Sequence, residues 1–375
     1  MTNKELFYFT GKCLTLNEHP EFGEAIIEKC RADQIDWEQF VHLCSTHLIL
    51  PAIYLQFRDH HILEHIPEEL NQHLKDIHDL NVNRNNLILE QLQHITKVLN
   101  RNNIYPVFMK GSGNLLDGLY ADTGERILGD IDFLVPEKDY LLSGSLFEDE
   151  GYTSKTLGAD YEEVTEMKHY PRLSHPGFVA SIEIHRIPVR KYYLRKYNSE
   201  IIDQEKKTVQ SLQGCFVLSD NHKIIHNFIH SQLSNRGHAY GIVSFRDIYD
   251  LYLMSKRCEI KDTLPQIENK QKAIAYFIFA GEVFGLSEKF YPRFNFSARL
   301  LLKKHSLNLS SPVFYRLHRA GLYIIWQIFV IYLGQIRTAF HSKRMRQSIV
   351  QRLGNRHWYK SYLDFQKGFF TNKHD

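Results

Sequence analysis

The chain has 375 residues and a net charge of +3, long enough for two domains or for one core with helical extensions. Its apolar fraction of 43% beside 24% charged residues is that of an ordinary globular protein and argues against a disordered one. Five scattered cysteines, an odd number with no CxxC, argue against a disulfide framework or a zinc site and fit a reducing cytoplasm.

Residues 4–104 are predicted to be helical. Asp36-Trp37-Glu38 reads as a helix start, followed by Phe40, Val41, Leu43, Cys44 and Leu48 at helical spacing. The N-terminal MTNKELFYFTGKC lacks the long apolar core of a signal peptide. Pro51 opens a further helix through Ile53, Tyr54 and Phe57. The longest pattern spans 67–100, with Leu70, Leu74, Ile77, Leu80, Leu87, Leu92, Ile95 and Val98 as a stripe. This region is expected to be a packing shell.

Asn102-Asn103 ends that helix, and residues 104–109 form a buried-strand candidate. The turn Lys110-Gly111-Ser112-Gly113 then opens a short helix over 111–119. A helix start offers free N–H groups and a positive dipole end to a phosphate. A polar loop carrying Arg126 leads to Gly129-Asp130-Ile131-Asp132-Phe133-Leu134-Val135. In a strand, residues two apart share a face, so Asp130 and Asp132 project together. Two adjacent carboxylates repel and are costly to desolvate. A hard divalent cation, Mg2+ or Mn2+, makes such a pair favourable. An Asp-x-Asp by itself is more often a solvated turn or a helix cap; the strand pattern and the Gly-rich turn before it raise the odds of a metal site.

Pro136 opens a helix through Leu141, Leu142 and Phe147, and Gly151-Tyr152 starts an extended piece. Residues 168–188 read as a hairpin turning at His175-Pro176-Gly177, with Tyr170-Pro171-Arg172-Leu173-Ser174 as its first arm. In the second arm Ile182 and Ile184 share one face, Glu183 and His185 the other. Taken alone this is the solvated face of an edge strand; the functional alternative puts Glu183 beside the aspartates.

From residue 220 the pattern is helical again. His226 and His230, four apart, have metal-ligand spacing but lack an HExxH, so packing or hydrogen bonding is expected of them. Arg246 could reach a phosphate, but a pair with an aspartate inside the bundle is the commoner arrangement. The tail from 302 is helical, aromatic and basic. Over residues 335–375 nine Lys and Arg face only Asp364 and Asp375, a local charge of +7 that suits nucleic acid or an anionic membrane surface. The longest apolar run, 320–334, contains Gln327 and is shorter than a bilayer span. Leu322, Ile325, Phe329, Tyr332 and Leu333 form an apolar face, expected to belong to a buried core helix rather than a membrane-surface one.

Val107-Phe108-Met109-Lys110-Gly111, then Leu115, Tyr120, Gly124, Arg126 and Asp130-Ile131-Asp132-Phe133-Leu134-Val135, resemble the uncharacterised nucleotidyltransferase family of the polymerase-beta-like superfamily. Glu183-Ile184-His185 matches that family's later Glu-x-His strand, and the Asp36-Trp37 and Arg246-Asp247 helices look like family elements. The resemblance covers roughly residues 36–254. It shares the family's long loop over 117–129, and departs at Arg186, where an aromatic residue often follows the Glu-x-His.

The resemblance implies an α+β fold: a small mixed β-sheet nucleotidyltransferase core (104–215) after an N-terminal helical region (1–103). A helical region packing on the core (216–290) would follow, and then, beyond the resemblance, a basic, aromatic C-terminal extension (291–375). It implies Mg2+-dependent transfer of an NMP from an NTP to an unidentified hydroxyl acceptor, with Mn2+ as the alternative ion. Asp130, Asp132 and Glu183 would hold two metal ions, with Glu183 assisting deprotonation of the acceptor. Gly111 and Ser112 would cradle the β and γ phosphates, and Lys110 or Arg126 would neutralise them. Lys110 has a second reading, an ion pair with the carboxylates. The acceptor is left open among a small molecule, a saccharide, a protein hydroxyl and an RNA end. Two other classes stand beside this reading: a catalytically silent nucleotide-binding protein, and a membrane-peripheral assembly protein acting through its C-terminal helices.

Overall fold

A computed structural model describes residues 1–154, 167–291, 295–326, 333–341, 346–347 and 350. Its contacts divide into two units, 1–238 with 242–303, and 239–241 with 304–375.

The first unit holds a seven-stranded mixed sheet between helical stretches of the chain. Its strands are β1 (Val107–Met109), β2 (Ile131–Leu134), β3 (Thr153–Ser154), β4 (Leu173–Ser174), β5 (Ile182–His185), β6 (Lys207–Thr208) and β7 (Phe216–Val217). The spatial order is β3-β4-β5-β2-β1-β7-β6. β2 runs antiparallel to β1 and parallel to β5, while β1 is parallel to β7. This is the expected α+β architecture. The sheet is wider than the sequence pattern indicates, because β6 and β7 are too short to show a period of two. One face of the central strands is core. Ile131, Phe133, Ile182 and Ile184 are fully buried, and Phe133 stacks edge-on between Phe108 and Phe147 at 5.8 and 6.0 Å. Fully burying each such side chain is worth about 1.5–3 kcal/mol, which pins the register of both strands.

Five helices precede the sheet: α1 (Asn3–Cys13), α2 (Glu21–Arg31), α3 (Trp37–Thr46), α4 (Leu50–Asp59) and α5 (Glu68–Asn100). Asp36 caps α3 by accepting from the Gln39 amide, and Pro51 sits in the first turn of α4, where its missing N–H costs nothing. α5 differs from its apolar stripe in one respect. Leu80 and Leu87 are exposed, and the buried middle of the helix is His78, Asn81, Asn85 and Gln91. The reason is the partner surface, which is the backbone of a loop. Asn81 donates to the Gly124 carbonyl at 2.7 Å, and Asn85 to those of Thr123 and Arg126 at 2.6 and 2.9 Å. Arg84 donates to the Leu128 carbonyl at 2.7 Å. Gln91 makes a reciprocal pair with Ala180, donating to its carbonyl at 2.8 Å and accepting from its amide at 3.2 Å. The expected packing shell is therefore also a splint for the segment that leads into Asp130.

After β1 come α6 (Lys110–Leu116), α7 (Tyr140–Asp149), α8 (Ser199–Glu205), α9 (Asp220–Phe228), α10 (Phe245–Met254), α11 (Lys270–Phe284), α12 (Phe296–Ser310), α13 (Pro312–Trp326) and α14 (Leu333–His341). In the second unit, Asn308 donates to the Tyr240 and Gly241 carbonyls at 2.8 and 3.1 Å. Here one expectation is corrected. Ile324, Ile325 and Leu333 are exposed, as are Val313 and Leu317, so the described part of this apolar run is not a buried core helix. Phe329, Tyr332 and most of the basic tail lie outside the described residues. Among the described residues no helix is long and apolar enough to cross a membrane.

Candidate active site

Three strand ends place the acidic side chains. The register sets Asp132 beside Glu183 on parallel strands and opposite Met109 on the antiparallel one. Alternation then turns Asp132, Glu183 and His185 away from the Phe133 core. Asp130 lies just before β2; its carboxylate accepts from Ser181 Oγ at 2.7 Å. Lys110 follows β1 directly in a left-handed conformation, φ 52°, strained for a residue with a Cβ. Its Nζ donates to Asp132 Oδ1 at 2.6 Å. Of the two sequence readings of Lys110, this contact is the ion pair with a carboxylate.

His185 Nε2 also reaches Asp132 Oδ1, at 2.8 Å, and lies 3.7 Å from Glu183 Oε2. His185 is fully buried and its Nδ1 has no hydrogen-bond partner. Arg172 completes the cluster. One guanidinium nitrogen donates to Asp130 Oδ2 and, at 3.2 Å, to Glu183 Oε1. Three carboxylates thus share two cations and an imidazole.

The electrostatics follow from these contacts. Burial disfavours the charge on Asp132, but Lys110 and the His185 hydrogen bond outweigh it and hold its pKa well below the usual carboxylate range. The neighbouring His185 lowers Glu183 to about 2, against the opposing effects of burial and of Asp132. Lys168, partly buried nearby, is pulled down to about 8 by burial and by Lys110.

The donor set suits a divalent cation. Asp132, Glu183 and His185 each offer a ligand atom, all within 4.8 Å of one another. Two ligands of one ion at about 2.1 Å each lie at most about 4.2 Å apart, so the trio needs to close by only a fraction of an ångström. Two carboxylates fit Mg2+, and the imidazole shifts the balance toward Mn2+ or another transition ion. This trio differs from the expected set of Asp130, Asp132 and Glu183. Asp130 stands outside it, bonded to Arg172 and Ser181. His185 was within reach of sequence reasoning, since the alternation that turns Glu183 toward the site turns His185 with it. Arg172 was not, because its role depends on β4 pairing Leu173 with Ile182, which sets Arg172 across from Glu183.

The Gly111-Ser112 turn and Arg126 take other places. Ser112 is fully buried and its hydroxyl donates to the Met109 carbonyl at 3.0 Å, so a phosphate contact from it would require breaking that bond. A Cβ on Gly111 would lie 2.5 Å from Leu128 Cδ2, and one on Gly113 2.5 Å from the Phe108 carbonyl oxygen. Both glycines therefore let α6 pack closely. Arg126 is buried and forks onto Asp250 of α10 with two bonds of 3.0 Å, while Tyr120 donates to the same carboxylate at 3.0 Å. Tyr249 donates to Glu125 at 2.7 Å. The long loop is thus held by α5 on one side and α10 on the other.

A cavity of about 60 Å³ adjoins Lys110 and Gly111 and is lined also by Lys223, His226, His230 and Arg246. Arg246 lies 3.6 Å from Asp247, and its Nε has no hydrogen-bond partner. His226 bonds the Tyr197 hydroxyl at 3.2 Å and stacks on His230, as expected of a packed pair, and its Nε2 is left without a partner. Burial brings His230 down to about 3, so at neutral pH it is an uncharged lining group.

A family model described as "Uncharacterised nucleotidyltransferase" matches residues 33–292, more than half of the chain. No curated protein and no solved structure matches.

Proposed function

The chain belongs to the uncharacterised nucleotidyltransferase family, and we propose that it moves an NMP from an NTP, ATP being the first to test, to a hydroxyl acceptor in the cytoplasm. The observation that carries this is the convergence of Asp132, Glu183 and His185, with Asp130 beside them, at the end of β2 and β5. Asp132, Glu183 and His185 would hold Mg2+ or Mn2+, with Asp130 as a further ligand. Bound there, the ions activate the attacking hydroxyl and stabilise charge on the leaving oxygen.

The chain's own residues divide the remaining work. Glu183, held ionised by its neighbours, would serve as a metal ligand and assist deprotonation of the acceptor. Lys110 keeps Asp132 ionised and stands at the mouth of the cavity beside Gly111. The outer phosphates would approach the mouth of that cavity, where Arg246 would supply the charge that Arg126, committed to Asp250, does not. The acceptor is a small molecule, saccharide, protein hydroxyl or RNA end.

Calorimetric titration with a non-hydrolysable ATP analogue tests this reading. Binding should require Mg2+ or Mn2+ and be lost in Asp132→Asn. Equal binding with and without metal would overturn it.

A further inference from the structure

Arg172 occupies the position between two carboxylates that a bridging cation would take. A single nitrogen donates to both Asp130 and Glu183. The burial of the partners differs sharply. The Arg172 side chain is 54% exposed, against 26% for Asp130 and 13% for Glu183. The carboxylates are thus built into the sheet, and the guanidinium lies over them from the solvent side. Its backbone is fixed on both sides, Tyr170 donating to the Ile184 carbonyl at 2.8 Å and Leu173 pairing with Ile182, so any exchange belongs to the side chain. An exposed ion pair of this kind is weak and exchangeable. Lys110, by contrast, is mostly buried on Asp132.

Arg172 holds Glu183 through Oε1, while His185 faces Oε2, so an ion held by Asp132, Glu183 and His185 would stand across one carboxylate from the guanidinium, and the repulsion between the two charges would favour the departure of Arg172. Its tether keeps it within a side chain's reach of the carboxylates, where the phosphates of a metal-bound nucleotide would arrive, and its planar fork matches phosphate oxygens. We propose that Arg172 is an exchangeable cation: it holds Asp130 and Glu183 together in the empty site, yields them to the metal, and then binds the nucleotide's phosphates. This rests on the reading that these carboxylates bind metal.

The two halves of the exchange carry opposite signs, which a structural role would not. Mn2+ alone is titrated into the full chain and into Arg172→Gln, followed by a non-hydrolysable NTP at saturating Mn2+. The variant should bind Mn2+ several-fold more tightly and the nucleotide at least several-fold more weakly. Arg172→Lys, which keeps the charge without the fork, should restore Mn2+ affinity toward the parent's and recover only part of the nucleotide affinity. Melting curves in EDTA and in Mn2+ establish that each variant folds; the metal should raise the melting temperature of Arg172→Gln more than that of the parent. Unchanged or weaker Mn2+ binding by folded Arg172→Gln overturns the exchange while leaving the metal site intact. Absence of Mn2+ binding in the parent itself overturns the metal reading and the exchange with it.

Discussion

Asp132 has two partners, Lys110 at 2.6 Å and His185 at 2.8 Å, and is itself buried. Removing its charge strands a mostly buried ammonium, which typically costs about 3 kcal/mol or more. Asp130 pairs with a half-exposed arginine, a contact worth about 1 kcal/mol or less. Urea unfolding without metal should therefore separate Asp132→Asn, clearly destabilised, from Asp130→Asn, nearly unchanged. Glu183 adds a pH dependence. Its folded pKa is lowered from 4.5 to about 2. The unfolded chain thus binds the proton more readily in this range, and the stabilisation is complete above about pH 4.5 and lost as pH falls toward 2. Unfolding midpoints at pH 5 and pH 3 should fall farther for the parent than for Glu183→Gln; equal falls would show that the lowered pKa is absent. Asp130 and Asp132 were legible as a pair because alternation in a strand is local; Glu183 joined them only through the family resemblance, since the β2–β5 pairing that brings it there is not local. Ser112 was not legible: that its hydroxyl turns to Met109 depends on how α6 closes on β1.

At the level of elements, the loop before Asp130 is held by side chains, and these control where the carboxylate stands. Asn85→Ala would leave the buried Thr123 and Arg126 carbonyls without their donor, a loss of about 1–3 kcal/mol. Amide hydrogen exchange should show faster opening of residues 121–129 in that variant with little change in the β2–β5 pair; uniform acceleration would mean that the helix is only part of the general core. Gly111 tests the same coupling from the other side. Because a Cβ there meets Leu128 at 2.5 Å, Gly111→Ala should destabilise the chain, and Leu128→Ala added to it should cost less than the sum of the two. An additive result would show that the two positions do not compete for space. The α5 helix itself was legible from its period, but its buried asparagines were not. A polar residue on the inner face is read as a break in a stripe until the backbone it serves is known.

For the whole molecule, the order of elements, helices, then the Asp130–Glu183 sheet, then helices, is carried by runs long enough to show their period. The short strands β6 and β7 and the bridging arginine are products of tertiary pairing, and no window of the sequence contains them. In the second unit Ile324, Ile325 and Leu333 are solvent-exposed, though Tyr323 is buried, where a core helix was expected, because amphipathic spacing does not say what a face meets. The functional reading likewise belongs to the assembled sheet. Its most direct measurement is incubation of the full chain with each NTP carrying label on the α or the γ phosphorus, with Mg2+ and a cell extract as acceptor source. The α label should be transferred to an acceptor, the γ label should leave as pyrophosphate, and Asp132→Asn should abolish both. Transfer of the γ label, or α transfer that persists in a folded Asp132→Asn variant, would contradict nucleotidyl transfer at this site.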